Sequence, residues 1–126
     1  MVRTFSLIAL AVTMLCVNAG SKELVRQFSG NGTLTTEWFE VEAPWILDWR
    51  ANSEFQGSMA IEISLVDGNT GFHEGLLVQT KRPGDGVKLF NTSGRYRFRV
   101  SSTLARWTLK VEELSREEAA LYKPRD

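Results

Sequence analysis

Apolar and polar side chains alternate with a period of two along most of the chain from residue 33 to residue 112. The alternation is clearest in residues 58–66, 94–101 and 105–112. Successive side chains of a strand point to opposite faces of its sheet, so each segment is predicted to be a strand with one buried face. The link between the last two is only residues 102–104, which predicts that they pair as a hairpin.

Shorter segments with the same character precede and separate these three. They are residues 24–28, 33–41, 45–50, 76–80 and 87–90. Turn-forming residues lie between them, including Pro44 and the run 81–86, which holds a proline and two glycines. Seven or eight short strands with no long helix among them predict an all-β fold, an antiparallel β-sandwich that is jelly-roll-like.

The C-terminal tail does not alternate. Ser115 and Glu118 have the spacing of a capping box, in which each side chain accepts a hydrogen bond from the backbone N–H of the other residue. A short C-terminal helix is therefore predicted before Pro124. A frayed tail is the alternative, because so short a helix is only marginally stable by itself.

The N-terminal segment is typical of a secretory signal peptide. Arg3 precedes an apolar run at residues 5–17, and the residues leading to Ala19 suit signal peptidase. A bilayer span needs about 20 apolar residues, so a cleaved leader is favoured over a retained anchor. The predicted organisation is a signal peptide at 1–19, a β-sandwich domain at 20–113 and a C-terminal helix or tail at 114–126.

Composition narrows the partners and the compartment. The 126 residues include 15 basic and 15 acidic side chains, a balance that gives no reason to expect a nucleic-acid partner. Cleavage after Ala19 removes Cys16, the only cysteine, so no disulfide can staple the mature chain. Small secreted domains of animals tend to carry disulfides. We therefore expect a periplasmic or secreted bacterial protein with no membrane span after the leader is removed.

Three segments of the strand region carry a family resemblance. They are residues 59–68 (MAIEISLVDG), 93–100 (SGRYRFRV) and 107–111 (WTLKV). They look like the small jelly-roll domains of bacterial secreted proteins and are most similar to the bacterial pre-peptidase C-terminal type, with its Gly-x-Tyr strand and final aromatic-x-Leu-x-Val strand. The resemblance covers roughly residues 36–112. It implies the fold and export, and a loose association with binding or accessory roles.

Candidate chemistry for an enzyme is sparse. The single histidine, His73, has no Gly-x-Ser-x-Gly nucleophile near it, and no thiol survives cleavage of the leader. A zinc site needs three or four ligands. Asp67 and Asn69 begin a calcium-loop pattern, but Gly71 occupies the third ligand position, so an ordinary turn is favoured. We expect no catalytic residue, no metal and no cofactor.

Charge patterning is more informative. If the last two strands form a hairpin, five cations share one exposed face, namely Arg95, Arg97, Arg99, Arg106 and Lys110. Like charges that face one another across strands are destabilising. Two interpretations remain open. Carboxylates of the same chain neutralise the cations, for which the candidates are Glu62, Glu112, Glu117 and Glu118. Alternatively, the face binds an anionic glycan, a phosphate or an acidic protein.

Trp38 is a second candidate for binding. Alternation places it on the face opposite to Phe39, so one of these adjacent aromatic rings is expected to be poorly buried. An exposed tryptophan on a sheet suits stacking against a sugar ring or the centre of an interface. The alternative is that a neighbouring loop covers the ring.

These observations predict an exported, non-catalytic binding module of the bacterial envelope. It would engage an anionic glycan, a phosphate or an acidic protein through the arginine-rich face and Trp38. The alternative is a periplasmic inhibitor or accessory subunit that acts through its turn-rich loops, either residues 67–75 or residues 83–86. Nothing in the pattern indicates an oligomeric state.

Overall fold

The computed structural model describes residues 22–70 and 73–122, and for His73 and Glu74 it describes the backbone alone. The predicted signal peptide lies outside these residues. The strands are β1 (Glu23–Gly30), β2 (Leu34–Thr35), β3 (Phe39–Val41), β4 (Trp45–Asn52), β5 (Ala60–Asp67), β6 (His73–Thr80), β7 (Gly84–Phe90), β8 (Gly94–Thr103) and β9 (Arg106–Glu113). A short helix, α1 (Arg116–Ala119), continues into a 3-10 turn at Ala120–Tyr122. None of the helical segments described has the length and apolar character to cross a bilayer.

The strands form two antiparallel sheets that pack face to face. One sheet, here the β4 sheet, has the strand order β1-β9-β4-β7. The other, here the β8 sheet, has the order β2-β8-β5-β6, and β3 also pairs with β8. If β2 and β3 are counted as one interrupted strand, each sheet has four strands, as in a jelly roll. The prediction of an all-β, antiparallel sandwich with a short C-terminal helix is confirmed.

The predicted hairpin of the last two strands is wrong. The strand β8 pairs with β5 and with β2 and β3, whereas β9 pairs with β1 and β4 in the opposite sheet. The link between them has no Asn-Gly or Gly-Gly pair, the residues that close tight hairpins. Instead Leu104 takes a left-handed conformation (φ 54°), and the hydroxyl of Ser53 donates a hydrogen bond to its carbonyl. The chain therefore crosses from one sheet to the other at this point.

The alternating residues of the two sheets fill one core. Tyr96, Phe98, Trp107 and Leu109, the rows predicted to be inward, are all buried. Aromatic rings make much of the packing, and the rings of Trp45 and Phe90 stack with centroids 4.1 Å apart. Indole N–H groups also have partners, since Trp45 Nε1 donates to the Thr92 carbonyl at 3.0 Å. The core thus combines apolar burial with satisfied polar atoms.

A second, smaller apolar cluster lies on the outer side of the β4 sheet. It consists of the buried residues Ile46, Leu114 and Ala119, with Leu89 and Tyr122 packed against them. The predicted capping box is present, because Ser115 Oγ accepts from the Glu118 N–H and Glu118 Oε1 accepts from the Ser115 N–H, both at 3.1 Å. The helix is therefore a packed part of the fold.

A contact between the two ends of the described chain supports this cluster. The Lys22 side chain hydrogen-bonds to Tyr122, and this bond raises the pKa of Lys22 above its usual value. Lys22 is exposed and Tyr122 is half-buried, so the bond adds little to the stability of the fold.

We predict that Ile46→Ala lowers the free energy of unfolding by about 2–5 kcal/mol, as much as the same substitution does in the core between two sheets. Ile46 points away from the sandwich interior but is only 1% exposed under α1. Val87 lies on the neighbouring strand and is 44% exposed, so Val87→Ala is the matched control, with a change of about 0.5 kcal/mol or less. Urea unfolding measures the free energy of unfolding of both variants. If Ile46→Ala lowers it as little as Val87→Ala does, α1 does not pack on Ile46.

Candidate functional site

Strand β8 carries a row of arginines on the outer face of its sheet. Tyr96, Phe98 and Val100 point into the core, so the alternating residues Arg95, Arg97 and Arg99 point outward. Because β8 has strand partners on both sides, these guanidinium groups stand in the middle of the sheet and not at its edge. We call the surface made by Trp38, Arg95, Arg97 and Arg99 the basic face.

Trp38 joins this row through cation–π contacts. The guanidinium carbon of Arg97 lies 4.1 Å from the centroid of the indole ring, and that of Arg95 lies 5.0 Å from it. Neither interpretation drawn from the sequence included this contact. Stacking uses the flat face of a guanidinium and leaves its in-plane N–H groups available as donors. Trp38 therefore positions two arginines without using their N–H groups as hydrogen-bond donors.

A β-bulge brings Trp38 to the outer face. Thr35 lies opposite Arg99, and Phe39 lies opposite Tyr96. Four steps along the edge segment thus match three steps along β8, so the edge segment contains one extra residue. This extra residue divides the single strand predicted at 33–41 into β2 and β3.

The bulge also resolves the conflict between two adjacent aromatic residues. Thr36 pairs with Phe98, so Glu37 and Trp38 both fall opposite Arg97. Phe39 can then return to the core, where it is 3% exposed. Without the extra residue, Trp38 would take the inward position and Phe39 the outward one.

Thr36 fixes the position of the bulge. Its backbone N–H donates to the Phe98 carbonyl at 2.9 Å, and its hydroxyl oxygen accepts from the Phe98 N–H at 3.0 Å. The same hydroxyl donates to the Glu37 carbonyl at 3.0 Å. One buried side chain thus replaces a ladder hydrogen bond and ties down the first residue of the bulge. No simple motif in the sequence identified this role.

The carboxylate of Glu37 is held away from the basic face. Its Oε1 accepts from Arg26 Nη2 of β1, in the other sheet, at 2.8 Å. Glu37 is 83% exposed, so this ion pair adds little to stability. It does direct the carboxylate of the bulge toward β1, although Glu37 falls opposite Arg97 in register.

The carboxylates that were expected to neutralise the arginines either have other hydrogen-bond partners or lie on the side of the other sheet. Glu62 accepts from Gln79 Nε2 at 2.7 Å, and Glu118 belongs to the capping box. Glu112 lies on β9 and Glu117 on α1, both on the side of the β4 sheet. The internal neutralisation considered from the sequence is therefore not found among the residues that the structure describes.

The three arginines of β8 therefore form no ion pair with a described residue. No described carboxylate oxygen lies within 4 Å of their nitrogens. Glu40 lies directly opposite Arg95 in register but makes no such contact. The Nε of Arg97 is buried and has no hydrogen-bond partner.

Arg106 and Lys110 do not belong to this surface, and the prediction of one five-cation face is wrong. Both are on β9, so they point outward from the β4 sheet, with the core of the sandwich between them and β8. Lys110 lies opposite Asp48 of β4, and Arg106 Nη1 lies 3.9 Å from Glu54 Oε2. The reason is the crossing at residues 104–105, which places β8 and β9 in different sheets.

The described residues hold no set of three His, Cys, Asp or Glu side chains arranged to bind a metal ion. The Asp67 carboxylate accepts a hydrogen bond from the Asn69 N–H at 2.9 Å, the contact of an ordinary Asx turn. His73 begins β6, and its side chain is outside the description.

We predict that Thr36→Val destabilises the fold by about 1–3 kcal/mol, because it leaves the buried Phe98 N–H without an acceptor. Valine has nearly the same shape as threonine, so the loss reports the hydroxyl. Thr36→Ser keeps the hydroxyl and should lose less stability in the same urea titration. Equal stability of the two variants would show that the hydrogen bonds of Thr36 do not hold the bulge.

No protein-family model matches the chain, and a search of curated proteins finds no match. The resemblance to pre-peptidase C-terminal domains therefore stays a prediction.

Proposed function

We propose that this protein is an exported, non-catalytic binding module of the bacterial envelope whose basic face binds an anionic glycan. The observation that carries the proposal is the row Arg95, Arg97 and Arg99, which stands in the middle of a sheet without a described carboxylate within 4 Å. Export is supported by the sequence of residues 1–19. Phosphate or carboxylate groups on the glycan would supply the acceptors, because planar guanidinium groups bind both in a bidentate manner.

The geometry of the row supports a linear ligand over a single small ion. Alternate residues of a strand are roughly 7 Å apart, so the arginines form an evenly spaced line of charge along β8. A chain of anionic groups can engage several of them together, which raises the affinity above that of any one contact. We therefore expect an extended polyanion to bind along β8.

The neighbours of Arg99 suit a glycan. Arg99 lies between Thr35 of β2 and Ser64 of β5, and all three side chains share the outer face. Hydroxyl groups beside a guanidinium suit the alternating hydroxyl and acidic groups of a charged polysaccharide.

We predict that Arg95→Gln/Arg99→Gln weakens binding to polygalacturonate by at least about tenfold, since two charge-assisted contacts are lost. Both substitutions affect exposed side chains, so the fold should be kept. Lys110→Gln/Arg116→Gln removes the same charge from the other side of the sandwich and should bind as the wild type does. Isothermal titration calorimetry measures the affinities, with neutral dextran as the uncharged polymer.

Three results would contradict this proposal. Equal losses in the two double variants would indicate attraction by net charge alone. Binding to poly-glutamate but not to polygalacturonate would indicate an acidic protein partner. Undiminished binding by Arg95→Gln/Arg99→Gln would move the site away from the basic face and favour a role for the loops.

We also predict that Trp38→Leu weakens polygalacturonate binding by about fivefold, or about 1 kcal/mol, because two arginines lose the ring that positions them. The arginines remain in this variant, but the ring that positions Arg95 and Arg97 is absent. Trp38→Phe keeps an aromatic face and should lose less affinity. If both variants bind as the wild type does in calorimetry, Trp38 does not position the arginines for binding.

A further inference from the structure

A groove of about 550 Å³ crosses the outer face of the β4 sheet, on the side of the sandwich opposite to the basic face. Its polar lining comes from β1, β4, β9 and the loop after β1. The residues that matter for its chemistry are Ser29, Asn31, Arg50, Asn52, Arg106 and Thr108. The volume is within the range of about 300–1,000 Å³ that is typical of small-molecule sites.

The groove results from the order of long and short side chains across the strands. Thr108 lies between Ser29 of β1 and Arg50 of β4, and Arg106 lies opposite Asn52. Short hydroxyl side chains therefore form the floor, and the two arginines rise from diagonal positions beside it. Diagonal β-carbons across a strand pair are about 7–8 Å apart, so both guanidinium groups can reach one anionic group between them.

One wall of the groove is held in place from inside the sandwich. The indole Nε1 of Trp107 donates to the Gly32 carbonyl at 2.9 Å, which fixes the loop that carries Asn31. The Trp107 ring also packs against Gly30, where a β-carbon would lie 2.7 Å from Cζ2. The loop position is thus set by the core, and a ligand would meet a groove that is already formed.

The charge of the groove is only weakly compensated. Arg50 lies opposite Asp85 of β7, but the two form no ion pair within 4 Å. Arg106 has Glu54 at 3.9 Å, and both side chains are more than half exposed. Ion pairs as long and exposed as this one contribute little. Both guanidinium groups therefore remain available to an anion in the groove.

We propose that this groove binds a small acidic sugar, of one or two rings, through its carboxylate or phosphate. Arg50 and Arg106 would hold the charged group, because two planar donors suit a group with several acceptor oxygens. The amide of Asn31, the side-chain NH2 of Asn52 and the two hydroxyls of the floor would bind the sugar hydroxyls, whereas Asn52 Oδ1 already accepts from the Ser53 N–H at 2.8 Å. Trp107 is buried and offers no exposed ring face, so recognition here depends on hydrogen bonds. The proposal does not depend on the basic face.

The test is a calorimetric and NMR titration of the purified protein with glucuronate and with glucose 6-phosphate, and glucose serves as the neutral sugar. We expect saturable binding of at least one anion, with weaker binding of glucose. Amide signals of Asn52 and Thr108 should shift, and those of residues 95–99 should not. Arg50→Gln and Arg106→Gln should each weaken binding about tenfold, and Arg116→Gln, on the exposed start of α1, should not.

The outcomes separate the alternatives. Stronger binding of glucuronate supports a carboxylated sugar, and stronger binding of glucose 6-phosphate supports a phosphorylated one. If neither anion binds saturably, the proposal is overturned. It is also overturned if glucose binds as tightly as the anions do. Shifts confined to residues 95–99 would assign the anion to the basic face, and would overturn this groove as a site while leaving the proposed function in place.

Discussion

The two sheets pack face to face, and the inward rows of their central strands β8 and β9 contribute aromatic and aliphatic side chains to one core. This face-to-face packing depends on the crossing at residues 104–105, where the left-handed Leu104 takes the chain from one sheet to the other. Every outward side chain of β8 is thereby separated from every outward side chain of β9 by the thickness of the sandwich. The two faces can consequently carry different chemistry, although their strands are consecutive in the chain.

The β8 sheet depends on one extra residue at its edge. The bulge opposite Arg97 lets Phe39 reach the core and lets Trp38 reach the arginines, which a regular strand does not allow. Thr36 and Glu37 then act in opposite directions, because Thr36 binds the bulge to β8 and Glu37 ties it to Arg26 of the other sheet. A local irregularity of this kind is common where a sheet aims a side chain at a ligand. It also keeps a carboxylate away from the cation that it would neutralise.

The outer faces differ in how their charges are balanced. Beyond the groove, the β4 sheet sets Lys110 opposite Asp48 and is partly covered by α1, whose buried Ala119 clusters with Ile46. The β8 sheet instead leaves its central arginines without an ion pair to a described residue. Uncompensated charge on a rigid sheet costs stability through repulsion and is retained most readily where a ligand supplies the opposite charge. This contrast is why the basic face is proposed as the main binding surface.

The sequence by itself determined which residues alternate, and hence the all-β class, the inward rows of β8 and β9, and the outward direction of Arg95, Arg97 and Arg99. The capping box at Ser115 was also predictable, since the hydrogen bonds of a helix end are formed between near neighbours in the chain. Only the tertiary structure decided that Arg106 and Lys110 lie on another face, that Trp38 contacts two guanidinium groups and that Ile46 is covered by α1. The physical reason is that a period of two describes the direction of a side chain within its own strand. Which strands pair, and where a bulge shifts the register, depends on contacts between residues that are distant in sequence.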